Sequence, residues 1–200
     1  MQGFNRRCGL ALVCAGALTI LINLILTPLL VNNSSPPIPE TTGVYLLRQS
    51  ASAVAALLFI FGSLGLYLAI RPSSGVFGAV AFVTAFVGSC LVFAIEFADV
   101  FVLRPLAQAS AETFALVDKD PFMKVGFLFG VGLFALGWVL MSINVLRTKQ
   151  LPAWAALATL AGLFLIPGLQ AALGVVGAMA GNVVLGTGLI GLGRSLAKSD

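Results

Sequence analysis

Glu96 and Asp99 stand three residues apart near the far end of a long apolar stretch, VFGAVAFVTAFVGSCLVFAIEFADVFVLR, at positions 76–104. An acid in such a segment is costly to place near hydrocarbon, so it normally has a partner or a task. Spaced i, i+3, the two fall on one face of a helix. Three kinds of chemistry suit such a pair. They could act as acid and base, share a cation or a relayed proton, or hold an arginine in an ion-pair network.

The short turn RPSSG at 71–75 makes the apolar runs on either side of it an antiparallel hairpin, and depth can be counted from Ser73. Arg48 lies 73 − 48 = 25 residues before it, Glu96 lies 96 − 73 = 23 after, and Asp99 lies 99 − 73 = 26 after. At about 1.5 Å per residue the three differ in depth by less than one turn. Arginine suits the place because its planar fork can hold a carboxylate with two hydrogen bonds. The faces agree with the depths. Gly78, Ala81, Ala85, Gly88, Ser89, Val92, Glu96 and Asp99 share one stripe, and Arg48, Ala51, Ser52, Ala55, Phe59, Gly62 and Ser63 share another. Small residues let helix backbones approach closely in lipid, so these stripes are expected to face one another or the bundle centre. Gln49, Asn23 and Gln170 fall in the same outer half, and with Arg48, Glu96 and Asp99 they form a candidate polar cleft. The plainer expectation for the same group is a salt bridge that locks the bundle. Phe82, Phe86, Phe93, Phe97 and Phe101 make a neighbouring stripe, suited to packing against lipid or core, or to walling an apolar ligand.

What positions these residues follows from composition. Of 200 residues, 60% are hydrophobic and 9% charged, against roughly 25% charged in soluble domains. Runs of about 20 apolar residues recur, the length a helix needs to cross ~30 Å of hydrocarbon. The expected fold is all-α, a six-helix membrane bundle in one domain, with spans near 9–31, 44–70, 76–103, 121–146, 152–171 and 174–193. An outer loop covers 104–120, with a short alanine-rich surface helix in its middle. The first run is too long for a signal-peptide core and no cleavage site follows it, so it reads as a retained helix behind Arg6 and Arg7. NNSSPPIPETTG, at 32–43, reads as a loop, and its Asn32 and Asn33 each open an N-x-S triplet.

Six spans put both termini on one side. With them inside, Arg6, Arg7, Arg71, Arg147, Lys149, Arg194 and Lys198 are inner, and Arg48, Arg104, Lys119 and Lys124 outer. This bias favours cytoplasmic termini.

Several classes are excluded. The net charge of +4 is scattered over helix ends and offers no basic cluster for nucleic acid. With no histidine there is no b-type haem ligation, no histidine metal site and no histidine acid–base chemistry. The three cysteines, Cys8, Cys14 and Cys90, form no CxxC and read as small apolar residues. The letters G-x-G-x-x-G at 186–191 lie inside an apolar span without a preceding strand, which rejects dinucleotide binding. Gly177-xxx-Gly181 permits close helix crossing, inside one bundle in preference to a homo-oligomer. Gly9, Gly16 and Asn23 share their spacing with Gly130, Gly137 and Asn144, a faint trace of a three-plus-three repeat.

The overall pattern looks like that of many small six-helix bacterial proteins, which implies a bacterial cytoplasmic membrane. The expected function is that of a non-enzymatic structural, accessory or regulatory bundle without cofactor or metal, in contact with membrane lipids. The alternative is a carrier or binding protein for a small solute or lipid, with its site around Glu96, Asp99 and Arg48.

Overall fold

The computed structural model describes residues 2–32 and 39–198, and among these there are helices and no strands. The chain runs α1 (Gln2–Leu21), a π-helical segment (Ile22–Leu26), α2 (Thr27–Asn32), a 3-10 turn (Pro39–Thr41) and α3 (Gly43–Ala98). A second π segment (Asp99–Leu103), α4 (Arg104–Ala109) and α5 (Ala111–Asp118) follow. The long helices α6 (Pro121–Thr148), α7 (Ala153–Leu173) and α8 (Val175–Lys198) complete the chain. Five helical stretches are long and apolar enough to cross a membrane. Half of the loop expected at 32–43, residues 33–38 with Asn33 among them, lies outside the described residues. The connection at 104–120 is largely helical, because Pro105 starts α4 and the Ser110 side chain caps α5 by accepting from Thr113 N at 3.2 Å.

The 56 residues of α3 do not form one rod. Gly75 has φ 56° and ψ −154°, a combination essentially reserved for glycine, and the chain folds back there. Tyr67 stacks on Phe82 with ring centroids 4.6 Å apart, and Gln49 bonds Asp99 fifty residues on. A straight helix would hold that last pair about 75 Å apart. So α3 has two antiparallel arms, 43–74 and 76–98. The other positive-φ glycine, Gly174 at 62°, makes the same kind of reversal between α7 and α8. The sequence places its breaks at 71–75 and 167–174, and both fall there.

Close contacts give the order of packing. Gly9 faces Gly193 and Ala197, and Gly16 faces Gly186 and Ile190, so α1 and α8 are antiparallel and the chain's two described ends share one end of the bundle. Gly62 and Gly65 seat Leu12 and Cys8 of α1 on the first arm of α3. Gly88 lies against Phe134 and Gly137 against Ala85, which pairs the second arm with α6. Gly162, Gly181 and Gly188 of the last hairpin meet Leu185, Ile166 and Thr159. Helix association in lipid gains little from the hydrophobic effect and rests on such close van der Waals contact. The two small-residue stripes are buried as expected, but each faces a third helix: the first arm packs on α1, the second on α6. The glycine-rich α8 uses its glycines inside the bundle. In the suspected repeat, both glycine pairs seat a neighbouring antiparallel helix, but Asn23 bonds its own helix while Asn144 donates to Ser74 at 3.1 Å.

The bundle is closed at one end and open at the other. Trp138, Met141, Val145, Leu189, Leu192 and Leu196 are at most 1% exposed and pack with Phe59, Leu66 and Ile70. At the closed end Gln150 donates to Ser73 Oγ at 2.8 Å, and the Arg147 guanidinium lies 4.6 Å over the Phe77 ring. At the opposite end every residue of 121–129 is exposed, and so is every residue of 170–176.

Candidate functional site

The polar residues near the open end are held by three helical pieces. Thr27 begins α2 directly after the first π segment. Asp99 begins the second π segment. Between them lies the start of α3, where the Thr42 side chain caps the helix by accepting from Tyr45 N at 3.1 Å, and Tyr45, Arg48 and Gln49 follow within two turns. A π turn carries an extra residue and often marks a functional place in a helix. Here both π segments adjoin the same polar group.

Its connections form a relay. Arg48 Nε donates to Thr27 Oγ1 at 3.2 Å. Arg48 Nη1 donates to Gln49 Oε1, and Gln49 Nε2 donates to Asp99 Oδ2. The sequence placed Arg48 to pair with one or both of Glu96 and Asp99; among the described residues it bonds neither, and the Gln49 amide stands between it and Asp99. The reason is depth within the first arm. Gln49 is buried at 5% exposure and points at the second arm, whereas Arg48, one residue before it, is half-buried and reaches sideways to α2. Asp99 Oδ1 has no hydrogen-bond partner among the described residues.

Glu96 sits one turn below Asp99 and is half-buried. Its Oε2 is shut off from solvent without a hydrogen-bond partner, and so is Nε of Arg104. Asn23 donates to the Thr19 carbonyl of its own helix at 2.9 Å, and Gln170 is exposed near the tip of α7. Of the six candidate residues, then, Arg48, Gln49 and Asp99 are joined and Glu96 is adjacent, while Asn23 and Gln170 make no hydrogen bond to the group.

Beside Asp99 lies a feature that sequence reasoning missed. Above Gly130, which seats Ile95 and Leu91, α6 parts from the second arm of α3 and leaves a groove of about 720 Å³. Leu91, Ala94 and Ile95 of the arm line its inner part together with Phe127 and Leu128 of α6. Its outer part holds Asp99, Asp118 of α5 and Lys124 of α6. The phenylalanine stripe is not its wall: Phe97 and Phe101 stack at 4.4 Å, 48% and 62% exposed, and belong to a different face of the helix. The only sequence signal of the groove is negative. Apart from Lys124, residues 121–129 carry no polar side chain on any face of the helix, and no small stripe marks a partner.

The arrangement offers carboxylates, an amide and a guanidinium next to an apolar trough. It can hold a polar head and an apolar body. Among the described residues no group of His, Cys, Asp or Glu comes together that could hold a metal ion. In comparisons with known proteins, no family model, curated protein or solved structure matches this chain.

Proposed function

We propose that this chain is a membrane protein of six crossings, without catalytic activity, that binds an amphipathic small molecule in the groove beside Asp99. In this reading the two arms of α3 each cross a bacterial cytoplasmic membrane, and both termini lie in the cytoplasm. The orientation rests on the basic residues, seven of which gather at the closed end with the termini. The binding reading rests on one observation: a groove of about 720 Å³ whose inner end is apolar and whose outer end carries Asp99. Sites for small molecules are typically concave, ~300–1,000 Å³, mostly apolar, with a few polar groups that fix orientation. A carrier role adds release to binding, and the open outer end, with 121–129 exposed, provides a way in and out.

The test is extraction of the purified protein. Gly126 lines the groove and a Cβ added there would meet nothing within 4 Å, so Gly126→Trp places a bulky side chain at the trough. Wild-type protein purified in a neutral detergent should carry an amphiphile detectable by mass spectrometry of its organic extract, and Gly126→Trp should carry little. Equal loads in both proteins would remove the reading.

A second reading has its own support. The closed half is sealed by inter-helix hydrogen bonds, Trp138 Nε1 to Ser89 Oγ at 3.3 Å and Asn144 to Ser74, in a dry core. That is the construction of a rigid bundle acting through helix contacts, a structural or accessory role. It predicts that Gly126→Trp leaves every cellular phenotype of the wild type intact.

A further inference from the structure

The groove has a direction, and with it a preference for one class of ligand. Resting on the amphiphile reading above, we infer that the groove takes a single-chain aliphatic ammonium, with its cationic head at Asp99 and its tail running inward between the second arm of α3 and α6.

The direction comes from the antiparallel walls. Along the arm the lining runs from Leu91 to Leu103, and along α6 it runs back from Phe122 to Leu128. Leu91 and Leu128 are thus paired at the inner end, and Asp99, Asp118 and Lys124 stand toward the outer end. The thirteen-residue wall is about 18 Å long at helical rise, enough for a tail but not for a second polar group at its foot. A head at the outer end and a tail toward the membrane centre is also the posture of a lipid in the outer leaflet.

The head group follows from which charge is deepest. Asp118 and Lys124 are exposed, opposite in sign and open to solvent, where such charges are screened and weakly felt. Asp99 is half-buried, and its Oδ2 is already taken by Gln49. The carboxylate keeps Oδ1 for another donor. Neither arginine at this level competes for the head: Arg48 and Arg104 do not line the groove, and Arg48 is spent on Thr27 and Gln49. The neighbouring Glu96, one turn below, also has a shielded oxygen without a hydrogen-bond partner. An ammonium offers the missing donors, and its bonds to a carboxylate are charge-assisted and about twice as strong as neutral ones. A sulfate or carboxylate head would meet Asp99 with like charge.

The experiment measures retention of dodecylammonium, dodecanol, dodecyl sulfate and a lysophosphatidylethanolamine by the full-length protein in a non-ionic maltoside, by equilibrium dialysis. Dodecylammonium should bind about tenfold more tightly than dodecanol, a difference of ~1.4 kcal/mol, and dodecyl sulfate should bind least. Asp99→Asn, checked for an unchanged melting temperature, should bring the ammonium down to the level of the alcohol. Asp118→Asn, at the exposed rim, should leave most of the preference in place. If Asp99→Asn unfolds, Gly126→Trp must abolish ammonium binding while sparing the fold. Should the alcohol bind as tightly as the ammonium, or Asp99→Asn keep the full preference, the ammonium assignment is wrong and the amphiphile groove stands. Tighter binding of the lysophospholipid overturns it in favour of a zwitterionic head. Failure of all four to bind removes the amphiphile reading as well.

Discussion

At the scale of single residues, the central fact is that Gln49 and not Arg48 holds Asp99. Arg48, Gln49 and Asp99 were all legible in the sequence, because hairpin counting needs only the rise of a helix and the position of a turn. Which of two adjacent side chains makes the contact was not legible. Neighbours on a helix point about 100° apart, and which of them faces the second arm is set by packing, here of the first arm against α1. Thr27 was invisible for another reason: one threonine in an apolar run has no signal until a donor is placed beside it. Two substitutions separate the relay from a simple ion pair. Gln49→Leu removes the Asp99 donor and leaves a half-buried carboxylate unsatisfied, a loss of roughly 1.5–3 kcal/mol for a hydrogen bond to a charged group. Arg48→Ala removes one donor to Thr27 and one to Gln49 but leaves the amide on Asp99, and should cost about 1 kcal/mol. Melting in detergent should therefore fall further for Gln49→Leu. In a double-mutant cycle, Asp99→Asn should recover part of the Gln49→Leu loss, with a coupling of about 0.5–3 kcal/mol. A lower melting temperature for Arg48→Ala than for Gln49→Leu would restore the direct pair.

At the scale of elements, the glycines of α6 sort the helix into a packed half and a free half. Letters alone could not do this, since Gly126, Gly130, Gly132 and Gly137 look alike in sequence. A methyl at Gly137 would run into the backbone of Ala85, and one at Gly88 into the backbone of Phe134. Backbone cannot swing aside as a side chain can, so Gly137→Ala and Gly88→Ala should each force the arm and α6 apart and lower the melting temperature. Gly126 and Gly132 have nothing within reach. There the gain in helix propensity acts by itself, and Gly132→Ala should stabilise by about 0.5–1 kcal/mol. Thermal unfolding of the three variants checks the division, which fails if Gly132→Ala is as damaging as Gly137→Ala. The turn at Gly75 is a separate case. No neighbour would obstruct a methyl there, but φ 56° with ψ −154° is strained for any other residue. Gly75→Ala should cost about 1–3 kcal/mol through the backbone. The sequence marked this turn correctly because RPSSG combines a proline with a glycine at the reversal.

At the scale of the molecule, charge and packing divide the bundle the same way. The closed end carries Arg6, Arg7, Arg71, Arg147, Lys149, Arg194 and Lys198, and no acid among the described residues. The open end carries Glu40, Glu96, Asp99, Glu112, Asp118 and Asp120 with four basic residues. The all-helical class and the hairpins were legible because hydrocarbon imposes a length and a composition on every crossing. The groove was not, because it is a place where two helices fail to meet, and a missing contact leaves no pattern of residues. Orientation in the membrane follows from the basic residues if Gly75 reverses α3 across the bilayer, and this can be put to a single test. In a background with Cys8, Cys14 and Cys90 replaced by alanine, single cysteines are placed at exposed positions of each end: Thr113 on α5, Lys149 after α6, and Gly3 and Lys198 near the termini. A membrane-impermeant maleimide applied to intact cells should label Thr113→Cys alone, and Lys149→Cys, Gly3→Cys and Lys198→Cys should react only after permeabilisation. Labelling of Lys149, Gly3 and Lys198 from outside, with Thr113 protected, would invert the orientation and put the groove on the cytoplasmic face. Labelling of one terminus and not the other would mean an odd number of crossings, and α3 would then have to turn back without crossing the membrane twice.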